Sequence, residues 1–185
     1  MSPITIIAIV FAAIILWVIA AYNGFIRLRN RTDEAWADID VQLRRRYDLI
    51  PNLVETVKGY AKHETQAFEN VTKARALALG AENMKEREDA ENQISSALKS
   101  IFAVAEAYPQ LRAVESFTKL QDELSDTENK IQAARRFYNG NVRDLNIKIE
   151  TFPSSIIAGI FKIAKKEFFE LEEGSEAKEP VKVKF

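Results

Sequence analysis

Hydrophobic and polar residues follow two different patterns along this chain. Residues 4–22 are almost entirely apolar, and apart from the hydroxyl of Tyr22 their one clearly polar side chain is Thr5. After Leu28, apolar residues recur every three or four positions between charged ones, which is the period of an amphipathic helix. The first pattern predicts a helix that spans a membrane, and the second predicts a helical domain.

The apolar stretch has the length of a membrane span. Its 19 residues rise about 28 Å in a helix, close to the hydrocarbon thickness of a bilayer. Trp17 and Tyr22 lie toward its C-terminal end, where amphipathic rings favour the interface. A cleaved signal peptide is the alternative, but such peptides normally start with a basic region, and no Lys or Arg precedes Ile4. We therefore expect a retained anchor.

Basic residues beside the apolar stretch predict its orientation. No Lys or Arg precedes it, whereas Arg27, Arg29 and Arg31 follow it closely. By the positive-inside rule, the N-terminus lies outside and the domain lies in the cytoplasm. The expected location is the cell (inner) membrane, crossed once.

The first helix of the domain is predicted to end near Ile50. Trp36, Ile39, Leu43 and Tyr47 are spaced by three or four. Pro51 has no backbone donor and its ring clashes with the preceding turn, so we expect a kink or break there. Asp48 is the predicted cap of a new helix with Pro51 in its first turn.

Three further helices are indicated by apolar stripes. The second is predicted to end at Gly80 as a C-cap, and the third to stop before Pro109. The fourth, over about residues 113–151, carries a seam with heptad spacing. The stripe of the second helix is Leu53, Val57, Tyr60, Glu64, Phe68, Val71, Ala74 and Ala78. The stripe of the third helix is Ile94, Leu98, either Ile101 or Phe102, and Ala105. The seam of the fourth is Phe117, Leu120, Leu124, Thr127, Ile131, Ala134 and Tyr138, prolonged by Val142, Leu145, Ile149 and Phe152.

The predicted fold is all-α. An N-terminal transmembrane helix is followed by an antiparallel three- or four-helix bundle with long helices, because a lone amphipathic helix cannot bury its seam. The predicted divisions are an anchor over residues 1–26, the bundle over 27–153, an amphipathic helix over 154–170 and a flexible tail over 171–185.

The amphipathic segment after Pro153 has two interpretations. It lies on the bilayer beside the anchor, or it folds back over one end of the bundle. In the first case the residues that contact the membrane surface are Ile157, Phe161, Lys162, Lys165, Lys166 and Phe168.

Composition and motifs argue against catalysis. The chain has 26 basic and 27 acidic residues, one histidine and no cysteine. A net charge of −1 gives no general attraction to nucleic acid or anionic lipid, so any such attraction must be local, and we expect no nucleic-acid partner. The absence of cysteine removes thiolate chemistry. His63 alone cannot build a di-iron site of the bundle type, and no phosphate loop, dinucleotide fingerprint, GxSxG or HExxH motif is present. We expect no enzyme, no cofactor, no metal and no small-molecule substrate.

Two polar features accompany the seams. Arg44, Arg45 and Arg46 form a run, interpreted as a solvated face paired with acids such as Asp40, with contact to phospholipid headgroups or nucleic acid as the alternative. Polar residues beside core positions are predicted to form a hydrogen-bonded network that fixes the helix register, the alternative being that most of them face water. These residues are Asn30, Asp33, Asp40, Asn52, Glu55, Glu128, Asn129 and Arg135.

Several of these segments resemble the LemA family of bacterial membrane proteins. The longest is NRTDEAWADIDVQLRRRYDLIPNLVETVKGY, residues 30–60. Others are AYP at 107–109, LQDEL at 120–124 with TEN at 127–129, AR at 134–135 with YN at 138–139, and FP at 152–153. The resemblance implies a single-pass anchor and an antiparallel bundle on the cytoplasmic side. It supplies no reaction, cofactor or catalytic residue.

Two functions are compatible with these features. The first is a membrane-tethered scaffold or adaptor that presents helix faces to a protein partner or to a second copy. The second is a lipid-surface or membrane-shaping module that uses residues 156–169 as a wedge.

Overall fold

The computed structural model describes residues 2–171, and all of the regular secondary structure in that range is helical. This confirms the all-α prediction. Residues 172–185, most of the predicted tail, lie outside the described part. The helices are α1 (Pro3–Lys58), α2 (Thr65–Leu79), α3 (Met84–Ala107), α4 (Pro109–Arg112), α5 (Glu115–Glu150) and α6 (Ser154–Ile160).

The predicted break at Pro51 is wrong, because α1 continues through it to Lys58. A proline cannot donate to the carbonyl four residues earlier, which belongs to Tyr47. That carbonyl instead accepts a hydrogen bond of 2.7 Å from Nε of Arg75 on α2. Leu53 and Val57, beyond the proline, are fully buried. A donor from another helix and burial on both sides of Pro51 therefore keep α1 intact.

The second predicted stripe is divided between two helices. Its first residues belong to the end of α1, and residues 59–64 connect α1 to α2. Tyr60 is 48% exposed rather than part of a buried face. The rest of the stripe is the buried face of α2: Phe68, Val71, Ala74 and Ala78. Gly80 is the C-cap of α2 as predicted, and its N–H donates to the carbonyls of Ala76 and Leu77.

A reciprocal cap starts α3. The side chain of Asn83 accepts a hydrogen bond from the N–H of Glu86 (2.9 Å), whose carboxylate accepts one from the N–H of Glu82 (3.0 Å). The hydrogen bond from the Glu82 backbone contributes most to lowering the pKa of the Glu86 carboxyl, and hydrogen bonding by the Asn83 side chain to that carboxyl lowers it further. Ile101 is fully buried and Phe102 is half-buried, so Ile101 is the core residue of that pair.

The heptad seam of α5 is buried along nearly its whole predicted length. Ile149 is half-buried, whereas Phe152 lies beyond the helix end at Glu150 and is 78% exposed. The fully buried positions are Phe117, Leu124, Thr127, Ile131, Tyr138, Val142 and Leu145.

The helices pack into two compact units. Among the described residues, unit 1 contains residues 2–41 with Ile131–Phe168, and unit 2 contains Gln42–Lys130 with residues 169–171. The domain limits predicted from the sequence stay a prediction.

Each unit contains an antiparallel helix pair, as predicted. In unit 1, Trp36 packs on Tyr138 with ring centroids 5.3 Å apart, while Nζ of Lys148, farther along α5, lies 4.9 Å from the ring of Phe25, earlier in α1. The two helices therefore run in opposite directions.

In unit 2 the antiparallel pair is α1 with α2. Arg75 bonds to Tyr47, and Nζ of Lys58 lies 5.8 Å from the ring of Phe68, so α2 retraces the end of α1. The helix α2 also packs against α3.

Candidate functional site

The first part of α1 presents an apolar surface to solvent. Ile4 is 78% exposed, Ile7 is 68% exposed and Leu16 is 67% exposed. A soluble domain rarely exposes so large a contiguous apolar surface. Within residues 2–171, α1 is the one helix that is long and apolar enough to cross a membrane.

The C-terminal end of this surface packs against α5 and α6 within unit 1. The buried centre of this cluster is Phe25, Leu145, Ile157 and Ala158. Around it pack the half-buried Val18, Ala21, Tyr22, Leu28, Ile149 and Ile163. Since Val18 to Tyr22 belong to the apolar stretch, α6 lies beside the last turns of the predicted span.

In this cluster, the start of the C-terminal segment packs against α1 and α5. Ile157 is 2% exposed and faces the cluster, so it is not a membrane-surface contact as one interpretation required. The other predicted contacts remain at the surface to different degrees. Phe161 and Phe168 are 48% and 43% exposed, and the side chains of Lys165 and Lys166 are 56% and 31% exposed.

The amphipathic helix predicted over residues 154–170 is shorter than expected, because α6 ends at Ile160. Lys162 has a φ of 52°, a left-handed conformation that no helix interior contains. Its N–H donates to the carbonyl of Gly159 (3.3 Å), and the N–H of Ile163 donates to that of Ala158 (2.9 Å). This pair of bonds is a Schellman motif with lysine at the position where glycine is usual.

After this turn, the irregular chain is held on α5 by two side chains. The amide of Asn146 accepts from the N–H of Lys166 (3.0 Å) and donates to its carbonyl (2.9 Å). The hydroxyl of Tyr138 donates to the carbonyl of Glu167 (3.0 Å). Sequence reasoning placed Tyr138 only in the seam and did not consider Asn146. The sequence signal for Asn146 was its place as a polar residue directly after Leu145, a seam position.

A pocket of about 410 Å³ lies between the base of α1 and this segment. Its polar lining is cationic and part of its wall is aromatic, with the rings of Tyr22 and Phe161 4.6 Å apart between centroids. The cationic lining residues are Arg29, Lys162, Lys165 and Lys166. The others are Tyr22, Phe25, Ile26, Leu145, Phe161, Ile163 and Ala164.

Two carboxylates beside the pocket neutralise part of this charge. Lys165 pairs with Glu150, and Lys166 pairs with Asp33. Two residues before Glu150 on α5, burial lowers the pKa of Lys148, and the neighbouring charge of Arg27 lowers it further. The four cations of the lining outnumber the carboxylates of Asp33 and Glu150, so the pocket carries an excess of positive charge.

The polar cluster of unit 2 differs from the network predicted from sequence. Its centre is Arg46, 1% exposed, which pairs with the fully buried Glu91 and, at 2.6 Å, with Glu128. The hydroxyl of Tyr47 also donates to Glu91. Of the eight residues predicted, Glu128 is the one found in this cluster. The cluster has a structural role, because its ion pairs join α1 to α3 and α5.

The other predicted network residues lie elsewhere. Asp33 belongs to the pocket region, and Glu55 is an exposed residue 3.8 Å from Lys58. Asp40 and Arg135 are half-buried and each interacts with a neighbouring group. Three asparagines, Asn30, Asn52 and Asn129, are exposed.

Sequence reasoning missed Arg46 because it treated the arginine run as one solvated face. The signal that identifies it is register: Ile39, Leu43, Arg46 and Ile50 are spaced four, three and four, so Arg46 occupies a core position. Its neighbour Arg45 does lie at the surface, 4.0 Å from Asp126.

In the described residues, no group of three or more His, Asp or Glu side chains is arranged to hold a metal ion.

The geometry of the pocket is suited to binding an anion with an apolar part, because cations lie beside aromatic and aliphatic walls.

Comparisons with known proteins show similarity to one family over most of the chain. A family model described as LemA family matches residues 35–185. Magnetosome protein MamQ 2 of Paramagnetospirillum magneticum is 23% identical over 184 residues, covering 85% of this chain and 68% of that protein. Magnetosome protein MamQ of Magnetospirillum gryphiswaldense is 22% identical, covering 91% and 71%. Protein LemA of Metamycoplasma hominis is 26% identical, covering 74% and 63%.

Proposed function

Since the chain belongs to the LemA family, we propose that it is a membrane-anchored helical scaffold or adaptor without catalytic activity of its own. It holds helix faces at a bilayer, where they bind a protein partner or a second copy of the chain. The proposed location is the cell (inner) membrane, crossed once, with the N-terminus outside and the helical domain in the cytoplasm.

One observation carries the proposal. α1 is a single helix from Pro3 to Lys58. Its first part exposes apolar side chains, and its last part is buried through residues such as Leu43, Leu53 and Val57. A bilayer that holds the first part of the helix therefore also retains the domain built on the last part.

Exposed apolar side chains in unit 2 support recruitment of a protein. Tyr60, Leu77 and Leu79 are 48%, 46% and 56% exposed. Aromatic and large aliphatic side chains supply most of the binding energy at protein interfaces when a partner buries them. A tether also raises the local concentration of neighbouring copies, which favours association between them.

Site-specific photo-crosslinking of the full chain in its native membrane tests this role. A crosslinking side chain at Leu77 is compared with one at Lys73, an exposed charged position on the same helix. The proposal predicts a crosslinked protein of one reproducible mass from position 77, identified by mass spectrometry as a partner or as a second copy, and much less from position 73. Recovery of monomer and lipid alone from position 77 contradicts it.

A lipid-surface module is the second candidate, favoured by the exposed apolar residues around α6. Ile156 is 51% exposed and Ile160 is 66% exposed. A fluorophore at Ile160 in proteoliposomes should be quenched by brominated lipid if this segment enters the bilayer, whereas one at the exposed Lys119 should not. Equal, weak quenching at both positions removes this candidate.

A further inference from the structure

We infer that the pocket lined by Arg29, Lys162, Lys165 and Lys166 binds the phosphate headgroup of an anionic phospholipid. This inference rests on the proposed membrane anchoring, because it requires the end of the apolar stretch to lie at the bilayer surface. The pocket is called the headgroup pocket below.

Its position along α1 fits a headgroup. The lining residues of α1 begin with Tyr22, the last residue of the apolar stretch, and end with Arg29. Seven residues of helix rise about 10 Å, so the pocket extends from the edge of the hydrocarbon into the headgroup layer. A lipid bound there has its acyl chains beside the exposed apolar side chains of α1.

The charge of the pocket fits an anionic ligand. Four cations line it, and the two carboxylates that pair with them belong to Asp33 and Glu150. Two positive charges are left over. In the part of the chain that the structure describes, Lys165 and Lys166 have ion-pair partners, whereas the ammonium group of Lys162 has no hydrogen-bonding or ion-pairing partner. The phosphodiester of an anionic phospholipid, which accepts charge-assisted hydrogen bonds, supplies the missing negative charge.

The walls of the pocket fit the apolar part of the same ligand. Tyr22 and Phe161 pack ring against ring at one side, and Phe25 and Leu145 contribute apolar surface from the buried cluster. A pocket of about 410 Å³ is within the usual range for small-molecule sites. Free inorganic phosphate, in contrast, gains nothing from aromatic and aliphatic walls.

The backbone at Lys162 is an independent argument. Its φ of 52° is a conformation in which glycine is the favoured residue. A lysine there is strained, and strained residues concentrate at binding sites. Binding of the headgroup by its ammonium group gives this lysine a role that glycine cannot fill.

The test uses the full chain in nanodiscs of phosphatidylcholine with one fifth phosphatidylglycerol. Native mass spectrometry of the released protein counts retained phosphatidylglycerol. The test variant combines Arg29→Gln and Lys162→Gln, and the matched control combines Lys119→Gln and Lys130→Gln, which removes the same charge from unit 2. Lys162→Arg keeps the charge, and circular dichroism verifies that every variant is folded.

We expect the original chain, the control and Lys162→Arg to retain phosphatidylglycerol in preference to phosphatidylcholine. The double test variant should lose this preference about tenfold or more, since each cation near an anionic surface changes binding by about fivefold. Equal retention by all variants overturns the inference. Inorganic phosphate provides a second arm: binding that depends on Arg29 and Lys162 in detergent, without retained phosphatidylglycerol, assigns the pocket to a soluble phosphate and also overturns it.

These results distinguish the headgroup pocket from the anchor. A chain that inserts into nanodiscs but shows no lipid preference contradicts the pocket and leaves the anchor in place. A chain that does not insert contradicts both.

Discussion

Arg75 donates a hydrogen bond of 2.7 Å from Nε to the backbone carbonyl of Tyr47, on a different helix. Tyr47 lies four residues before Pro51, so its carbonyl is the one that the proline cannot satisfy. The side chain of Arg75, on α2, thus replaces the backbone donor that α1 lacks at Pro51. An arginine far away in sequence allows a proline to occupy the interior of a 56-residue helix.

Loss of this donor should destabilise the protein, because Pro51 has no backbone N–H to replace it. Arg75→Ala removes this donor from the Tyr47 carbonyl and should cost about 1–3 kcal/mol of unfolding free energy. In a Pro51→Ala background the new N–H of residue 51 can donate instead, so the same substitution should cost much less. Denaturation of the original chain, the two single variants and the double variant in detergent micelles gives the coupling energy. The exposed Lys73→Ala is the control, and an equal cost of Arg75→Ala in both backgrounds contradicts this explanation.

The buried pair of Arg46 and Glu91 makes a second prediction. Glu91→Ala leaves the arginine charge buried with one partner fewer, and should cost about 3–5 kcal/mol. Replacing both residues together, as Arg46→Met with Glu91→Leu, removes the charges and should be less destabilising than Glu91→Ala. Thermal unfolding followed by circular dichroism measures the difference. A double variant that is less stable than the single one shows that the pair itself, rather than an uncompensated charge, provides the stability.

Sequence reasoning predicts patterns along one helix, but not contacts between residues that are far apart in sequence. The seam from Phe117 to Leu145 was predictable because burial along one helix repeats with a fixed period. The continuation of α1 through Pro51 was not, because Arg75 is 24 residues away in sequence from the proline that it compensates. The pocket was only half predictable. Its lysines were named as membrane-surface contacts, which stays a prediction, whereas the place of Arg29 and the Asn146 and Tyr138 bonds that hold the segment depend on tertiary packing.

Gly140 offers a stabilising substitution. It lies inside α5, and a Cβ added there meets no atom within 4 Å. Gly140→Ala should therefore raise the unfolding free energy by about 0.8–1.0 kcal/mol, the difference in helix propensity. Gly24→Ala is the matched comparison, because its Cβ would meet the Lys148 ammonium group and the gain should be smaller. Chemical denaturation of both variants checks the order, and a destabilised Gly140→Ala would mean that this face of α5 is covered.

The stabilisation that Glu86 provides at the start of α3 should depend on pH. Because its hydrogen bonds lower the pKa of Glu86 in the folded chain, the unfolded chain takes up a proton first as the pH falls. The stabilisation is present above the ordinary carboxyl pKa of about 4.3 and is lost as the pH falls through the lower folded value. Glu86→Gln should thus destabilise the protein at pH 7 and have less effect at pH 3. A difference between the two chains that does not change with pH would mean that the carboxylate is not part of the cap.

Extraction of cell membranes with alkaline carbonate tests the anchor most directly. The full chain should stay in the membrane pellet, whereas a variant with Val10→Lys and Ile14→Lys should move toward the soluble fraction, since each charge near the centre of a span costs about 2.5–3.5 kcal/mol. Val10→Leu with Ile14→Leu is the control and should stay in the pellet. Release of the unaltered chain into the soluble fraction would contradict the account of α1 as a membrane anchor.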